Sequence, residues 1–144
     1  MKVRRIRFIK RREVYIKRCM MDTNQTVAKK SKQFAIHIMK LVEHLRMNKH
    51  PFFIQDQVGR SGTSIGANVA EAEHAISKKE FLQRMYIAYK ECNETLYWLE
   101  LIFESDYISG MAYHQLRMEC EELEKMLSAI TKTTAENLRR GGAI

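Results

Sequence analysis

One short segment of the sequence combines residue types that could bind a metal. Glu71-Ala72-Glu73-His74 places a carboxylate and an imidazole three residues apart, the spacing found in each half of a carboxylate di-iron bundle. Such a site needs a second motif of this kind on another helix. No carboxylate lies three residues upstream of the other histidines, His37, His44, His50 and His114. We therefore predict no metal site and no cofactor.

Phosphate binding and nucleophilic catalysis are equally unsupported by the residue spacing. Residues 59–66 read GRSGTSIG, but they lack the Lys-Ser/Thr ending of a phosphate-binding loop and lie in a helical pattern instead of following a strand. No sequence feature pairs Cys19, Cys92 or Cys120 with a histidine. Three cysteines without CxxC spacing also indicate neither a disulfide framework nor a zinc site. We predict that the protein is not an enzyme.

Small and polar residues instead share the second of four predicted helices. Gly59, Gly62 and Gly66 each cost a helix about 1 kcal/mol relative to alanine, so a compensating close approach of another helix is expected on their face. Ser61, Ser64, Asn68 and Glu71 form a polar stripe at helical spacing.

Buried polar groups need partners, and the third helix offers Glu91 and Glu94. We predict a buried or half-buried network that joins Arg60, Ser64, Asn68 and Glu94, with Glu71 and Glu91 beside it. The network either fixes the register of the helices or lines a functional pocket.

Four segments carry apolar residues at alternating spacings of three and four, which predicts four helices. The first seam comprises Val27, Ser31, Phe34, Ile38, Leu41 and Leu45. The second comprises Ile54, Val58, Ser61, Ile65, Asn68 and Ala72. The third comprises Phe81, Met85, Ala88, Cys92, Thr95, Leu99 and Ile102. The fourth comprises Tyr113, Leu116, Cys120, Leu123, Leu127 and Ile130.

Capping signals set the expected bounds of these helices. Ser77 and Glu80 match a capping box, and Ser109 is placed to cap the fourth helix. We predict an all-α, antiparallel up-down-up-down four-helix bundle, because the connections are short, with helices near 26–48, 52–76, 78–104 and 110–135. The expected divisions are a basic extension over 1–21, the bundle over 22–138 and a frayed tail over 139–144.

The third helix carries a second apolar stripe beside its seam. This stripe comprises Leu82, Tyr86, Tyr89, Leu96 and Phe103, with Tyr97 and Trp98 close by. Two stripes exceed what one bundle seam requires. Either this helix lies at the centre of its own bundle, or the stripe forms a contact between subunits, where tyrosine and tryptophan are enriched.

The formal charge of +8 is confined to the start of the chain. Nine of the 25 basic residues and one of the 17 acidic residues lie within residues 1–21. Three interpretations stay open: nucleic-acid binding, contact with an anionic membrane surface, or an upstream start codon assigned in error before Met21. The basic residues of this segment are Lys2, Arg4, Arg5, Arg7, Lys10, Arg11, Arg12, Lys17 and Arg18.

A long stretch of the chain resembles a known family. RSGTSIGANVAEA, followed by SKKEFLQRMYIAYKECNETLYWLELI, is similar to proteins encoded in intervening sequences of 23S ribosomal RNA, also called the S23 ribosomal protein family. The resemblance covers roughly residues 26–132. Its pattern falls on Gln57, Val58, Arg60, Ser64, Ile65, Asn68, Ala70 and Glu71, and the family's third-helix glutamate falls on Glu94.

The resemblance implies a four-helix bundle that assembles into a ring-shaped homopentamer, with no catalytic residues. A related branch, the accessory proteins of diversity-generating retroelements, resembles basic pentamers that bind nucleic acid and a reverse transcriptase. The present chain differs in having Gly59 where many members have a second arginine, and its bundle is neutral overall.

Together these features predict a self-associating, cytoplasmic RNA-binding or ribosome-associated protein. The alternative is a protein-interaction scaffold or accessory subunit that binds no nucleic acid. No segment approaches the ~18 apolar residues of a membrane span. Besides the basic extension, the residues expected to contact nucleic acid are Arg60, Lys78, Lys79, Arg84 and Lys90.

Overall fold

The structure, a computed structural model, describes residues 26–141, which form four α-helices and no β-strand. Helix α1 covers 26–47, α2 covers Phe52–Ala72, α3 covers Lys78–Glu104 and α4 covers Gly110–Gly141. The all-α prediction is confirmed. Two predicted helix ends differ: α2 stops at Ala72 instead of 76, and α4 continues past 135 to Gly141.

Contacts between the helices show that neighbours run antiparallel. Along the α2–α3 pair, Arg60 contacts Glu94 and Glu71 contacts Arg84, so the residue numbers change in opposite directions. Helices α3 and α4 approach through Phe103 and Tyr113 at one end. Helix α4 also returns to α1, where Lys30 pairs with Glu122. The four helices therefore close into the predicted up-down-up-down bundle.

The predicted seams form the hydrophobic core. Every seam residue of α1, α2 and α3 is buried, because alternating spacings of three and four keep these side chains on one face of a helix. In α4 the four inner seam residues are buried, whereas Tyr113 and Ile130 at its two ends are half-buried. Burying one large aliphatic or aromatic side chain stabilises a fold by about 1.5–3 kcal/mol.

The glycine face of α2 packs against α1. A methyl group at Gly66 would lie 3.3 Å from the backbone of Ser31, and one at Gly59 would lie 3.3 Å from Cγ2 of Val42. These distances are tighter than ordinary van der Waals contact. The close approach expected from the three glycines is therefore confirmed, and α1 is the helix that uses it.

Helices α1 and α3 end in the same way. The amides of Lys49 and His50 donate to Arg46 and Leu45 carbonyls, and φ of Lys49 is 57°. The amides of Asp106 and Tyr107 donate to the Phe103 and Ile102 carbonyls, and φ of Asp106 is 60°. Both are Schellman motifs. The residues that follow them, His50 and Tyr107, stack with ring centroids 3.9 Å apart, which joins the two connections at one end of the bundle.

Serine caps begin α3 and α4. Ser77 Oγ accepts from the Glu80 amide at 3.1 Å, and Ser109 Oγ accepts from the Ala112 amide at 3.2 Å. The predicted capping box differs in one detail, because the Glu80 carboxylate accepts from the Ile76 amide instead of that of Ser77. None of the helices within 26–141 is long and apolar enough to cross a membrane.

Candidate functional site

The basic residues predicted to contact nucleic acid fall into two classes on the bundle. Arg60 is engaged by Glu91 and Glu94, and Arg84 by Glu71. Their charges are compensated within the chain. Lys78, Lys79 and Lys90 are exposed and form no ion pair with any described residue. The nine basic residues of the extension lie outside the described part of the chain. Among the described residues predicted to contact nucleic acid, the lysines of α3 are therefore the ones whose charge no described carboxylate neutralises.

One exposed side of α3 combines cations with aromatic rings. Six residues on it are all exposed, recur at spacings of three and four, and include no acid; Glu100 and Glu104 continue the same exposed stripe beyond them. We call this surface the α3 ridge: Lys79, Gln83, Tyr86, Lys90, Asn93 and Tyr97. At 1.5 Å per residue the ridge is about 27 Å long. Tyr86 is 53% and Tyr97 54% exposed.

This exposure argues against one of the two interpretations of the second apolar stripe. A helix at the centre of its own bundle would bury Tyr86, Tyr97 and Phe103, but all three are exposed. The stripe is therefore divided: those three residues lie on the surface, and the others, Leu82, Tyr89, Leu96 and Trp98, are half-buried.

Each exposed tyrosine of the ridge packs against a half-buried aromatic neighbour. Tyr86 stacks on Tyr89 with ring centroids 6.0 Å apart. Tyr97 meets Trp98 edge to face at 5.0 Å. Aromatic pairs in such geometries gain about 0.5–1.5 kcal/mol beyond their buried area. The inner rings hold the outer ones in place, so the ridge presents two oriented aromatic faces to solvent.

A polar cluster between α2 and α3 holds the inner tryptophan. The Trp98 indole Nε1 donates to Glu94 Oε1 at 3.2 Å, and Arg60 pairs with that same carboxylate oxygen. Gln57 Oε1 accepts from Arg60 at 3.5 Å. Since Tyr97 packs against Trp98, the cluster positions the far end of the α3 ridge.

Glu91 is the least satisfied member of this cluster. Its Oε2 atom is buried, lacks a hydrogen-bond partner among the described residues, and lies 3.5 Å from Arg60 Nη1. The contact with Arg60 is therefore an attraction between opposite charges that does not meet hydrogen-bond geometry. Burial raises the pKa of Glu91, the nearby charge of Glu94 raises it further, and Arg60 partly opposes both.

The predicted single network is divided into separate groups. Asn68 Nδ2 donates to the Ser64 carbonyl at 2.8 Å and to Ser64 Oγ at 3.1 Å. This pair stays within α2, since residues four apart are neighbours on a helix. No hydrogen bond among the described residues links it to Arg60 or Glu94. Glu71 lies further along α2 and pairs with Arg84 at 2.8 Å.

Sequence reasoning missed a second basic surface, on α1. Lys29, Lys32 and Lys40 are exposed and form no ion pair with the described residues. The only acidic residue of α1 is Glu43. Counting the charged residues of each helix separately, instead of comparing residues 1–21 with the rest of the chain, would have identified this surface. Helix α4 instead carries an acidic surface. An open groove on it is lined by three glutamates and one lysine, together with a glutamine and a methionine: Gln115, Met118, Glu119, Glu121, Glu122 and Lys125.

The groups considered for catalysis or metal binding are separated in the fold. No cluster of three or more His, Cys, Asp or Glu residues within 26–141 is arranged to hold a metal ion. Glu71 faces Arg84, while His74 lies in the turn after α2. Cys92 and Cys120 are buried. A hydrogen bond to Cys92 and burial raise the pKa of the Cys120 thiol, which makes it a poor nucleophile at neutral pH.

Comparisons with known proteins agree with this architecture. Residues 23–129 match the model of the family described as 23S rRNA-intervening sequence protein. The chain is also similar to a crystallised protein of unknown function from the S23 ribosomal protein family of Bacteroides thetaiotaomicron. The two are 42% identical with a TM-score of 0.72, over 74% of the present chain and 98% of the other. No curated protein matches the sequence. The family match spans most of the chain, and we conclude that the chain belongs to the 23S rRNA intervening-sequence protein family.

Proposed function

We propose that the protein is a non-enzymatic, self-associating bundle of the cytoplasm that binds single-stranded RNA, free or within the ribosome, along the α3 ridge. One observation carries the proposal. Tyr86 and Tyr97, each about half exposed, flank the unpaired cation of Lys90 on the α3 ridge.

The chemistry of the ridge fits the two components of a nucleotide chain. Exposed bases stack on aromatic side chains, and each such contact is worth about 1–3 kcal/mol. Lys79 and Lys90 on the same ridge would contact phosphates and release counterions. Asn93 and Gln83 add hydrogen-bonding groups between them. Stacking requires no particular base, so we expect modest sequence preference from this surface alone.

Exposed charge outside α3 favours contact of RNA with α1 over contact with α4. Lys29, Lys32 and Lys40 extend the positive surface onto α1, and the basic extension precedes that helix in the chain. The carboxylates of the α4 groove would repel phosphates. Since α1 lies diagonally opposite α3, RNA that contacted both helices would pass over α2, away from the carboxylates of α4.

The proposal is tested by fluorescence anisotropy of a labelled single-stranded RNA titrated with the full chain. Tyr86→Ala and Tyr97→Ala should each raise Kd by about 5- to 150-fold, the equivalent of one lost stacking contact. Met118→Ala, which removes an exposed side chain of α4, is the matched control and should leave Kd unchanged. Equal Kd values for all four proteins would overturn the ridge as the RNA site.

Salt dependence separates phosphate contacts from stacking. Lys90→Ala should lower the slope of log Kd against log salt by about 0.7, the value for one phosphate of a single strand. Lys132→Ala, on the exposed side of α4, should not change the slope. A slope that is the same in both variants and the wild type would mean that Lys90 touches no phosphate.

The alternative is a scaffold whose ridge contacts another protein subunit instead of RNA. Exposed tyrosines favour it, because tyrosine is enriched in protein interfaces, but lysine is depleted there. Light scattering distinguishes the two. The family resemblance leads us to expect a homopentamer, with a mass five times 17.0 kDa. If the tyrosine variants lower this mass and the wild type binds no RNA, the ridge is a subunit contact.

A further inference from the structure

The two exposed tyrosines of the α3 ridge point to the same side of the helix. Tyr86 and Tyr97 are eleven residues apart in one uninterrupted helix, Lys78–Glu104, and eleven residues make about three turns. The two residues are therefore separated by about 16 Å along the helix axis but by little rotation around it. The ridge offers two aromatic faces, both about half exposed, to one ligand that lies along α3.

Inner contacts fix the separation of these two faces. Tyr86 stacks on half-buried Tyr89, with 29° between the ring planes. Tyr97 packs against half-buried Trp98, with 66° between the ring planes, and the Trp98 indole donates to Glu94. Because each exposed ring contacts a ring held by the bundle, neither can move far along the helix. The distance between the two faces is therefore set by the folded helix.

Neighbouring bases of a nucleotide chain cannot occupy both faces. Consecutive phosphates of a base-stacked strand are about 3.4 Å apart, so such a strand needs about five steps to cover the distance between the rings. A strand whose bases are splayed apart needs fewer steps, but a single step falls well short of this distance. One strand that contacts both rings must therefore leave at least one nucleotide between the two stacked bases.

An unpaired cation lies between the two faces. Lys90 follows Tyr86 by about 6 Å and precedes Tyr97 by about 10 Å along the helix axis. It forms no ion pair with any described residue. Phosphates of the intervening nucleotides would pass this ammonium group and release their counterions there.

We propose that the α3 ridge selects unpaired RNA by the spacing of two non-adjacent bases, one stacked on Tyr86 and the other on Tyr97, with a phosphate between them at Lys90. This inference rests on RNA binding by the ridge and adds which RNA the ridge takes. Its ligand is a single-stranded segment of about four to six nucleotides. Mononucleotides and dinucleotides reach only one ring, and the inner bases of a duplex are stacked on their neighbours instead.

The charges of α3 limit the site at one end. Lys79 lies about 10 Å before Tyr86 along the axis, whereas Glu100 and Glu104 follow Tyr97 on the same exposed stripe. Carboxylates repel phosphates, so a strand that continued along the helix beyond Tyr97 would lose affinity. The bound segment therefore ends at Tyr97 and continues past Tyr86 toward Lys79.

Six-residue RNA strands that carry only two bases each test the spacing. Abasic sugars fill the other positions, and all strands have the same label and the same number of phosphates, so their contacts with Lys79 and Lys90 are matched. In fluorescence anisotropy with the full chain, uracils at positions 1 and 6 should give a Kd about 5- to 150-fold lower than uracils at positions 1 and 2. This ratio corresponds to one additional stacking contact.

Tyrosine variants identify the rings responsible. Tyr97→Ala should make the two strands bind equally, because the remaining ring can stack only one base at either spacing. Tyr97→Phe keeps an aromatic face and should retain the preference, and circular dichroism checks that both variants are folded. Met118→Ala, which changes an exposed side chain of α4, is the control and should also retain the preference.

Two results overturn the inference. One is that the wild type binds both strands with equal Kd. The other is that the preference persists in Tyr97→Ala, as it would if the two bases were held by different subunits.

A strand without bases separates these results from failure of the proposed function. If the wild type binds this strand as tightly as both uracil strands, no base stacks on the ridge, and the proposed function and this inference both fail. If both uracil strands bind equally to each other but more tightly than the base-free strand, stacking on the ridge stands and only the spacing is wrong.

Discussion

Gly62 faces Ile38 so closely that a methyl group built on Gly62 would come 2.7 Å from Ile38 Cγ1 and 2.9 Å from its Cγ2. Both residues are buried. The distance between α1 and α2 is thus set by the backbone of α2 at Gly62 and by the branched side chain of Ile38 on α1. A change at Gly62 must move Ile38 or separate the helices.

We expect Gly62→Ala to lower the free energy of unfolding. Overpacking of a well-packed core typically costs about 1–3 kcal/mol. The better helix propensity of alanine offsets about 1 kcal/mol of this cost. Urea denaturation followed by circular dichroism measures the difference. Gly141→Ala is the control, because a methyl group there meets nothing within 4 Å. A Gly62 variant as stable as this control would contradict the close packing.

The left-handed conformation costs a residue with a Cβ atom about 1–2 kcal/mol, and the greater freedom of glycine in the unfolded chain offsets about 0.4–1 kcal/mol of that. Lys49→Gly should therefore raise stability by about 0.5–1 kcal/mol. Lys49 has a φ of 57°, a left-handed conformation that strains a side chain with a Cβ atom but not glycine. Asp106, with a φ of 60°, is the matched comparison. Aspartate tolerates this region better than lysine, so Asp106→Gly should gain less. Thermal unfolding of both variants beside the wild type gives the ranking, and a larger gain at Asp106 would contradict it.

The core of this fold could be predicted from sequence because burial follows helical periodicity. The seam from Val27 to Leu45 is buried as predicted, since its spacing keeps these side chains on one face of the helix. Helix ends were less accurate. Ile76 continues an apolar stripe of α2 in the sequence, yet it lies beyond the helix and is 95% exposed.

Polar partners could not be assigned from spacing alone. Ser64, Asn68 and Glu94 all suit a single network in sequence, but Asn68 bonds its neighbour Ser64 on the same helix. Which of two available partners a side chain takes depends on small rotations of one helix against the next. The α3 ridge was missed for a related reason. In the sequence its tyrosines form part of an apolar stripe, and only the fold shows that they are exposed.

The raised pKa of Glu91 predicts a specific pH dependence of stability. A carboxyl whose pKa is higher in the folded than in the unfolded protein favours folding when protonated, and that advantage is lost as pH rises from its ordinary value of 4.5. Glu91→Gln cannot ionise. The stability of the wild type relative to this variant should therefore fall as pH rises above 4.5 through the raised pKa of Glu91.

Urea midpoints of both proteins across that pH range give the curve for Glu91. Glu100→Gln, which changes an exposed carboxylate of the same helix, serves as the control. If the difference between wild type and Glu91→Gln rises with pH, Arg60 outweighs burial and the pKa of Glu91 is lowered instead of raised.

Glu94→Ala should have a moderate effect on stability and a separate effect on the ridge. Arg60 has 47% of its side chain exposed, so water can solvate it when Glu94 is removed. The loss of the Trp98 hydrogen bond should cost about 0.5–1.5 kcal/mol.

Tryptophan fluorescence of the Glu94 variants reports on Trp98, the single tryptophan. Glu94→Gln keeps an oxygen that can accept from the indole, so its spectrum and stability should stay closer to wild type. Identical spectra for Glu94→Ala and the wild type would show that the carboxylate does not hold the indole in place.

Because four helices alternate in direction, residue 26 and Gly141 lie at the end of the bundle away from the stacked His50 and Tyr107 rings. A fluorophore or purification tag joined after Gly141 therefore leaves the end with the stacked rings unobstructed, whereas an insertion in 105–109 would cover it. Helix α4 alone is about 48 Å long. A label at the carboxyl-terminal helix end would therefore lie about 48 Å from the Gly110 end of α4.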